Sequence, residues 1–293
     1  MDLVEQNFAM MSTLRLHNMT ADETVQADRN LGMKFHFSDG IWWREVKPFF
    51  YQPATVTPRI MPGVCSPNPW LALGGYYHMV PDGVESNGAI TANEISDPVG
   101  YDLKSLKRKR NQILRALGTF RIQPVSNLQD LITGGYDAYL DWEHRIGDVR
   151  TKRSRPEAFQ RWISSVLAHP HGLILGAYSG DRLVAFMTIY AADGVANCSK
   201  IFSHSEFSQQ TPSSALLYSF VKIAGNNPQI RRVWHGLRHT NASLQRYKAV
   251  MGFDLVSYPA YICLRAGIRP LVRWCFPSEY RRLMGQYPAE NAA

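Results

Sequence analysis

Hydrophobic and polar positions alternate along residues 172–207. The first run, GLILGAYS (172–179), and the second, RLVAFMTIYAAD (182–193), flank Gly180-Asp181, a two-residue hairpin signal. A third run, ANCSKIFSHSEF (196–207), follows directly. A period of two with turn residues between the runs predicts three consecutive antiparallel strands. The period changes to 3.6 further on. In NASLQRYKAVMGFDLVSYPAYICLR (241–265), Leu244, Tyr247, Val250 and Met251 share one helical face. Asn241 is placed to cap that helix, and Gly252 to end it in the left-handed conformation that glycine adopts freely. From Phe253 the text turns to aromatic and β-branched residues, so a strand follows.

The same reading orders the remainder. Residues 1–30 are polar and weakly patterned, which predicts a loose arm or a short helix. Residues 34–95 are aromatic and rich in proline and glycine, as short strands and turns are. A helix is predicted over 101–120, with Asp102 as its cap, a stripe of Leu103, Leu106, Ile113, Leu114 and Leu117, and Gly118 as its stop. Beyond it come a strand (120–125), helices through DLITGGYDAYLDWEHRIG and PEAFQRWISSVLAHP, and the three-strand ladder. The helix SSALLYSFVKIAGN, the strand RRVWHGL and the final helix–strand unit complete the series. The expected fold class is α/β (α+β), a mixed, mostly antiparallel sheet flanked by helices. The expected division is an N-terminal arm with a small β-rich unit (1–100), a main domain (101–266) and a basic C-terminal tail (267–293).

Composition narrows the function classes. With 45% hydrophobic residues in 293, the chain can bury a real core. The four cysteines are far apart, which argues against a metal or redox site and for a reducing compartment, the cytoplasm. His235 and His239 stand four apart but flank Gly236 at a strand end, so no metal is expected. The N-terminus lacks the pattern of a signal peptide, and no run reaches the ~18 apolar residues of a membrane span. A net charge of +8 and a pI near 9.3 favour anionic partners. Lys104, Lys107, Arg108, Lys109, Arg110 and Arg115 crowd the 101–120 segment, either as a solvated face or as a phosphate-binding one. The tail mixes arginines with Trp274, Phe276 and Leu283, which packs on the domain or lies on an anionic membrane surface.

The element order, the Gly-Asp hairpin and the terminal N…GF unit resemble the GNAT acyltransferase superfamily over roughly residues 101–265. The basic segment LKRKRNQILRAL makes the Fem-like branch the nearest likeness. The resemblance implies two parallel strands that part into a V-shaped gap for the donor's arm, and a helix N-terminus aimed at its pyrophosphate. The family's [QR]-x-x-G-x-[GA] turn corresponds to QTPSSA, where Ser213 replaces the first glycine and Pro212 lacks an amide hydrogen. It thereby implies donor contacts from Gln210, Thr211, Ser213, Ser214 and Ala215, with Asn241 and Lys248 on the terminal unit. Glu206, beside His204 at the end of the third strand, is the expected general base. A family tyrosine that protonates the leaving group falls at Lys248, with Tyr247 one place earlier. The implied reaction passes an acyl group from acyl-CoA or an acyl carrier protein to an amine. The alternatives are a Fem-type transferase using aminoacyl-tRNA and a catalytically silent relative that binds an anionic partner.

Overall fold

The structure, a computed structural model, describes residues 2–146, 154–239, 241–277, 280, 281 and 284. Leu283 and residues 285–293 of the basic tail lie outside them. In chain order the elements are α1 (Leu3–Thr13), β1 (Asn18–Met19), α2 (Ala21–Asn30), β2 (Phe35–Ser38), β3 (Ile41–Lys47), β4 (Phe50–Pro53), β5 (Gly75–Met79) and β6 (Gly88–Ile95). Then come α3 (Arg110–Thr119), β7 (Arg121–Pro124), α4 (Leu128–Asp130), a π-turn (Leu131–Gly135), α5 (Tyr136–Ile146), α6 (Pro156–Leu167), β8 (Leu173–Ser179), β9 (Arg182–Ala192) and β10 (Val195–Ser203). A 3-10 turn (Ser205–Gln210), α7 (Pro212–Gly225), β11 (Arg232–Leu237), α8 (Ala242–Val250), β12 (Asp254–Leu264) and α9 (Ile268–Cys275) end the series.

Two compact units form. The first contains residues 2–18, 95–236 and 247–253; the second contains 19–94, 237–246 and the described part of 254–293. A boundary drawn at residue 100 along the sequence cannot show this interleaving, in which β12 groups with the N-terminal strands.

In the first unit the strands run in the order β7-β8-β9-β10-β11. Each pair is antiparallel except β10 with β11, which is parallel. The predicted ladder is present, and Gly180 turns its hairpin at φ +59°. Alternation along β8 sends Leu175 and Ala177 to one core and Ile174 and Tyr178 to another. On the first core lies α7, whose Leu216, Leu217, Phe220, Val221 and Ile223 are all fully buried, each worth roughly 1.5–3 kcal/mol. On the second, Tyr139, Phe159, Trp162, Phe186 and Phe202 form a continuous aromatic cluster from α5, α6, β9 and β10.

Of the two forms expected for residues 1–30, the described residues take the helical one, twice over. Asp2 and Glu5 form a reciprocal capping box that starts α1, and Thr20 with Glu23 does the same for α2. The helix predicted over 101–120 is shorter: residues 103–109 are turns, and α3 begins only at Arg110. Asp102 accepts from the Ser105 amide at 2.9 Å, and like charges at helical spacing oppose an earlier start. Gly118 is not the stop, because α3 runs on to Thr119 and buried Phe120 turns the chain extended.

In the second unit β2, β3, β4, β5, β12 and β6 lie side by side in that order. Only β4 with β5 is parallel. Trp43 is fully buried at its centre, edge-on to Tyr76 at 5.6 Å. Among the described residues no helix is long and apolar enough to cross a membrane.

Candidate functional site

The parallel pairing of β10 with β11 is short. Val195, Ala196 and Asn197 pair with Arg232, Val233 and Trp234, and there the pairing ends. Immediately beyond, β10 slips register against β9 between Cys198 and Lys200. A bulge at that place bends the strand, so β10 leaves β11. The pairing of these two strands is therefore confined to one end, as the family resemblance implies, within the first unit.

Lys248 fills the point of divergence. It is 5% exposed, and its Nζ donates to the His235 carbonyl at 2.7 Å. Gly236, the next residue, turns at φ +71°, a conformation that side chains rarely adopt. Burial lowers the Lys248 amine to about 8, against an opposing pull from Cys198. Burial likewise raises the Cys198 thiol. His235 is pushed down to about 3 by burial and then by the Lys248 charge, so its imidazole is neutral at every physiological pH. Two neutral neighbours and one amine near neutrality make an environment in which a proton can be taken up and released.

Tyr247, the preceding residue, faces another direction on α8. Its hydroxyl lies 3.4 Å from Ser214 Oγ, and burial pushes it up to about 12, so it stays protonated and can donate. Lys109 stands over its ring at 6.0 Å.

Gln210 ends the 3-10 turn, and Thr211 caps α7 in the left-handed region at φ 55° without a side-chain bond to the helix. Its buried hydroxyl has no partner among the described residues. Pro212 has no amide hydrogen, and the Ser214 and Ala215 amides return to the Thr211 carbonyl at 3.0 and 3.5 Å. That leaves the Ser213 amide as the one in this turn with no acceptor among the described residues. A single free amide is a poor cradle for a diphosphate, which takes several.

The sequence placed Glu206 at the end of the third strand, and the structure corrects this. β10 stops at Ser203, and Glu206 lies in the 3-10 turn. Asp141 of α5 accepts from the Ser205 amide at 2.9 Å and the Ser205 hydroxyl at 2.7 Å, while His204 Nδ1 accepts from the Glu206 amide at 3.3 Å. These bonds end the strand early. Glu206 is mostly exposed and pairs with Arg182 at 3.3 Å. Asn241 groups with the second unit, where it caps α8 by accepting from the Leu244 amide at 3.0 Å. The geometry thus brings together Tyr247, Lys248 and Ser214, and adds Cys198, which no motif marks, and His235, which the sequence singles out only as half of a histidine pair.

Residues 103–237 match the family described as "Acetyltransferase (GNAT) domain". No curated protein matches the chain by sequence. Three solved structures share its fold nearly end to end. A conserved protein of unknown function from Bacteroides thetaiotaomicron is 12% identical, with a TM-score of 0.56 over 90% of this chain and 98% of its own. The C-terminal domain (DUF2156) of a candidate lysylphosphatidylglycerol synthetase from Agrobacterium fabrum is 11% identical, with a TM-score of 0.56 over 97% and 98%. FemX is 9% identical, with a TM-score of 0.54 over 93% and 98%. Residues 103–237 thus match a GNAT-domain model, and over nearly its whole length the chain has the fold of these three structures, FemX among them.

Proposed function

We propose that this protein passes an acyl group from a carrier-borne thioester to an amine, with Lys248 as the general base. The observation that carries this reading is the buried Lys248 amine at the divergence of β10 from β11. An alkyl amine acceptor has a pKa near ~10.4 and is almost wholly protonated at pH 7. A base near 8 is close enough to neutrality to accept the proton that attack on a thioester releases, a contribution of roughly 10²–10⁴-fold. Tyr247, held protonated, serves as the donor to the departing thiolate. Glu206 and Arg182 then act as the ion pair that shapes the turn ahead of α7.

The turn before α7 supports a donor that does not depend on a diphosphate cradle, because Pro212 and the Thr211 carbonyl use up the amides such a group needs. An acyl carrier protein offers the same thioester arm on an acidic surface, and the +8 charge of this chain complements it. Acyl carriers of this kind place the reaction in the cytoplasm. Ser213→Asp sets a carboxylate beside the one free amide. It is expected to weaken coenzyme A binding at least tenfold and to leave transfer from an acylated carrier protein within threefold. Equal loss with both donors overturns the carrier reading.

A second reading, Fem-type transfer from aminoacyl-tRNA, is favoured by the basic turn ahead of α3. Lys104, Lys107, Arg108 and Arg110 are exposed there, and Lys109 reaches Tyr247. If tRNA is the donor, its binding weakens steeply with salt, and replacing Lys107, Arg108 and Lys109 with Gln flattens that slope by about three. An absence of tRNA binding at low salt removes this reading. The silent relative is tested by the same assays, since it would transfer nothing from any of the three donors.

A further inference from the structure

The second unit contains a cavity of about 510 Å³, within the roughly 300–1,000 Å³ range of small-molecule sites. Its wall is made of Phe50, Ile90, Leu264, Ile268, Val272 and Phe276. Two polar side chains in the wall are already satisfied by the protein: the Tyr77 hydroxyl donates to Gln52, and Thr91 Oγ1 meets Ser257 Oγ at 3.2 Å. The charged group of the lining is Lys47, which is exposed and makes no ion pair among the described residues. A space of this kind rewards an aliphatic chain and gives a polar molecule nothing to bond. The lysine adds a preference for a negative head.

One wall of the cavity is the helix α9, IRPLVRWC. Ile268 and Val272, with Phe276 just past its end, follow each other at four-residue spacing and face the cavity. The rest of the helix faces outward and mixes apolar with basic residues: Leu271 is 51% and Trp274 84% exposed, Arg273 lies between them, and Arg269, also exposed, precedes them and donates to the Tyr280 hydroxyl at 3.4 Å. A tryptophan and a leucine set among arginines form the surface that settles at the headgroup level of an anionic bilayer.

We infer that α9 rests on an anionic membrane surface through Leu271, Trp274, Arg269 and Arg273, and that the cavity behind it takes one acyl chain of an anionic lipid, with Lys47 at the headgroup. The inference stands apart from the acyl-transfer reading, because it uses the second unit alone.

The test uses the full chain and two probes. In solution, cis-parinarate, a single-chain fluorescent carboxylate, is expected to bind and brighten. Val272→Trp, which fills the cavity from α9, is expected to weaken it at least tenfold. Ile268→Glu, at the first turn of the helix, provides a second block should Val272→Trp lose its cooperative melt. Lys47→Gln is expected to weaken parinarate more than the uncharged parinaric methyl ester. On vesicles of phosphatidylcholine with 30% phosphatidylglycerol, wild type is expected to co-sediment, and to do so far less on pure phosphatidylcholine. Leu271→Ala with Trp274→Ala is expected to abolish sedimentation while leaving parinarate binding within twofold. Parinarate binding that neither cavity variant changes, or none at all, overturns the cavity as a chain site. Parinarate binding without vesicle association overturns the membrane as the source of the chain.

Discussion

Replacing Lys248 with Met should lower acyl transfer by roughly 10²–10⁴-fold, the contribution of a positioned base, while making the protein more stable at pH 7. Both effects come from the same buried amine. Its ordinary value of 10.5 falls to about 8 because burial disfavours the charge. At about 1.4 kcal/mol per unit, holding the ammonium inside at pH 7 costs on the order of 3 kcal/mol. Methionine keeps the length, removes the charge and gives up one bond to the His235 carbonyl, worth about 1 kcal/mol. A net gain of about 2 kcal/mol should appear in urea melts. The sign with pH follows from linkage. The unfolded chain holds this proton up to 10.5 and the folded chain only to about 8. Wild-type stability should therefore rise with pH between about 8 and 10, and the Met variant should not share that rise. Above about 10 the buried tyrosines pull the other way, since Tyr247 and Tyr218 keep their protons to about 12 when folded. For catalysis, kcat/KM should climb about tenfold per pH unit below 8 and level off above it, because only the free amine accepts a proton. A flat profile in wild type, or an active Met variant, excludes Lys248 as the base.

The three-strand ladder was legible because its information is local: alternation in 172–207 and a glycine free to turn at φ +59°. Asn241 and Gly252 were legible for the same reason, since a cap and a left-handed stop are each decided within four residues. The end of β10 was not legible. The residue that stops it is Asp141, 64 positions away, and no period in 196–207 reveals that bond. Lys248 stood out only as a misfit at a family tyrosine position. Its depressed amine comes from burial against β11, a tertiary fact. The start of α3 was misread because the apolar stripe suited a helix, while the charge crowding that shortens it leaves the stripe unchanged.

Asn7→Leu should destabilise the first unit by roughly 3–5 kcal/mol, more than any capping change in the same helix. The side chain of Asn7 is 1% exposed in α1 and uses three of its bonding positions at once. Its Nδ2 donates to the Leu117 and Phe120 carbonyls, each at 2.8 Å, and its Oδ1 accepts from the Ile122 amide at 2.8 Å. Those three backbone groups lie where α3 ends and β7 begins, a place where neither helix nor sheet supplies partners. Leucine is nearly the same size, so the substitution isolates hydrogen bonding from cavity formation. It leaves one buried amide and two buried carbonyls unpaired, at about 1–3 kcal/mol each before relaxation. By contrast, Asp2→Ala removes a cap bond at an exposed helix end, worth about 1 kcal/mol. The polar character that left residues 1–30 open between a loose arm and a short helix is therefore, at Asn7, what fastens α1 to the domain. Two further side chains repeat the device from α7's end: Asn226 donates to the Met11 and Leu14 carbonyls at 2.6 and 2.8 Å, and Asn227 to the Leu16 carbonyl at 2.8 Å. Deleting residues 2–14 should accordingly unfold the first unit, with loss of its cooperative melt. A truncated chain that melts like wild type, or an Asn7→Leu protein within about 1 kcal/mol of it, would show that the N-terminal helix is only an appendage.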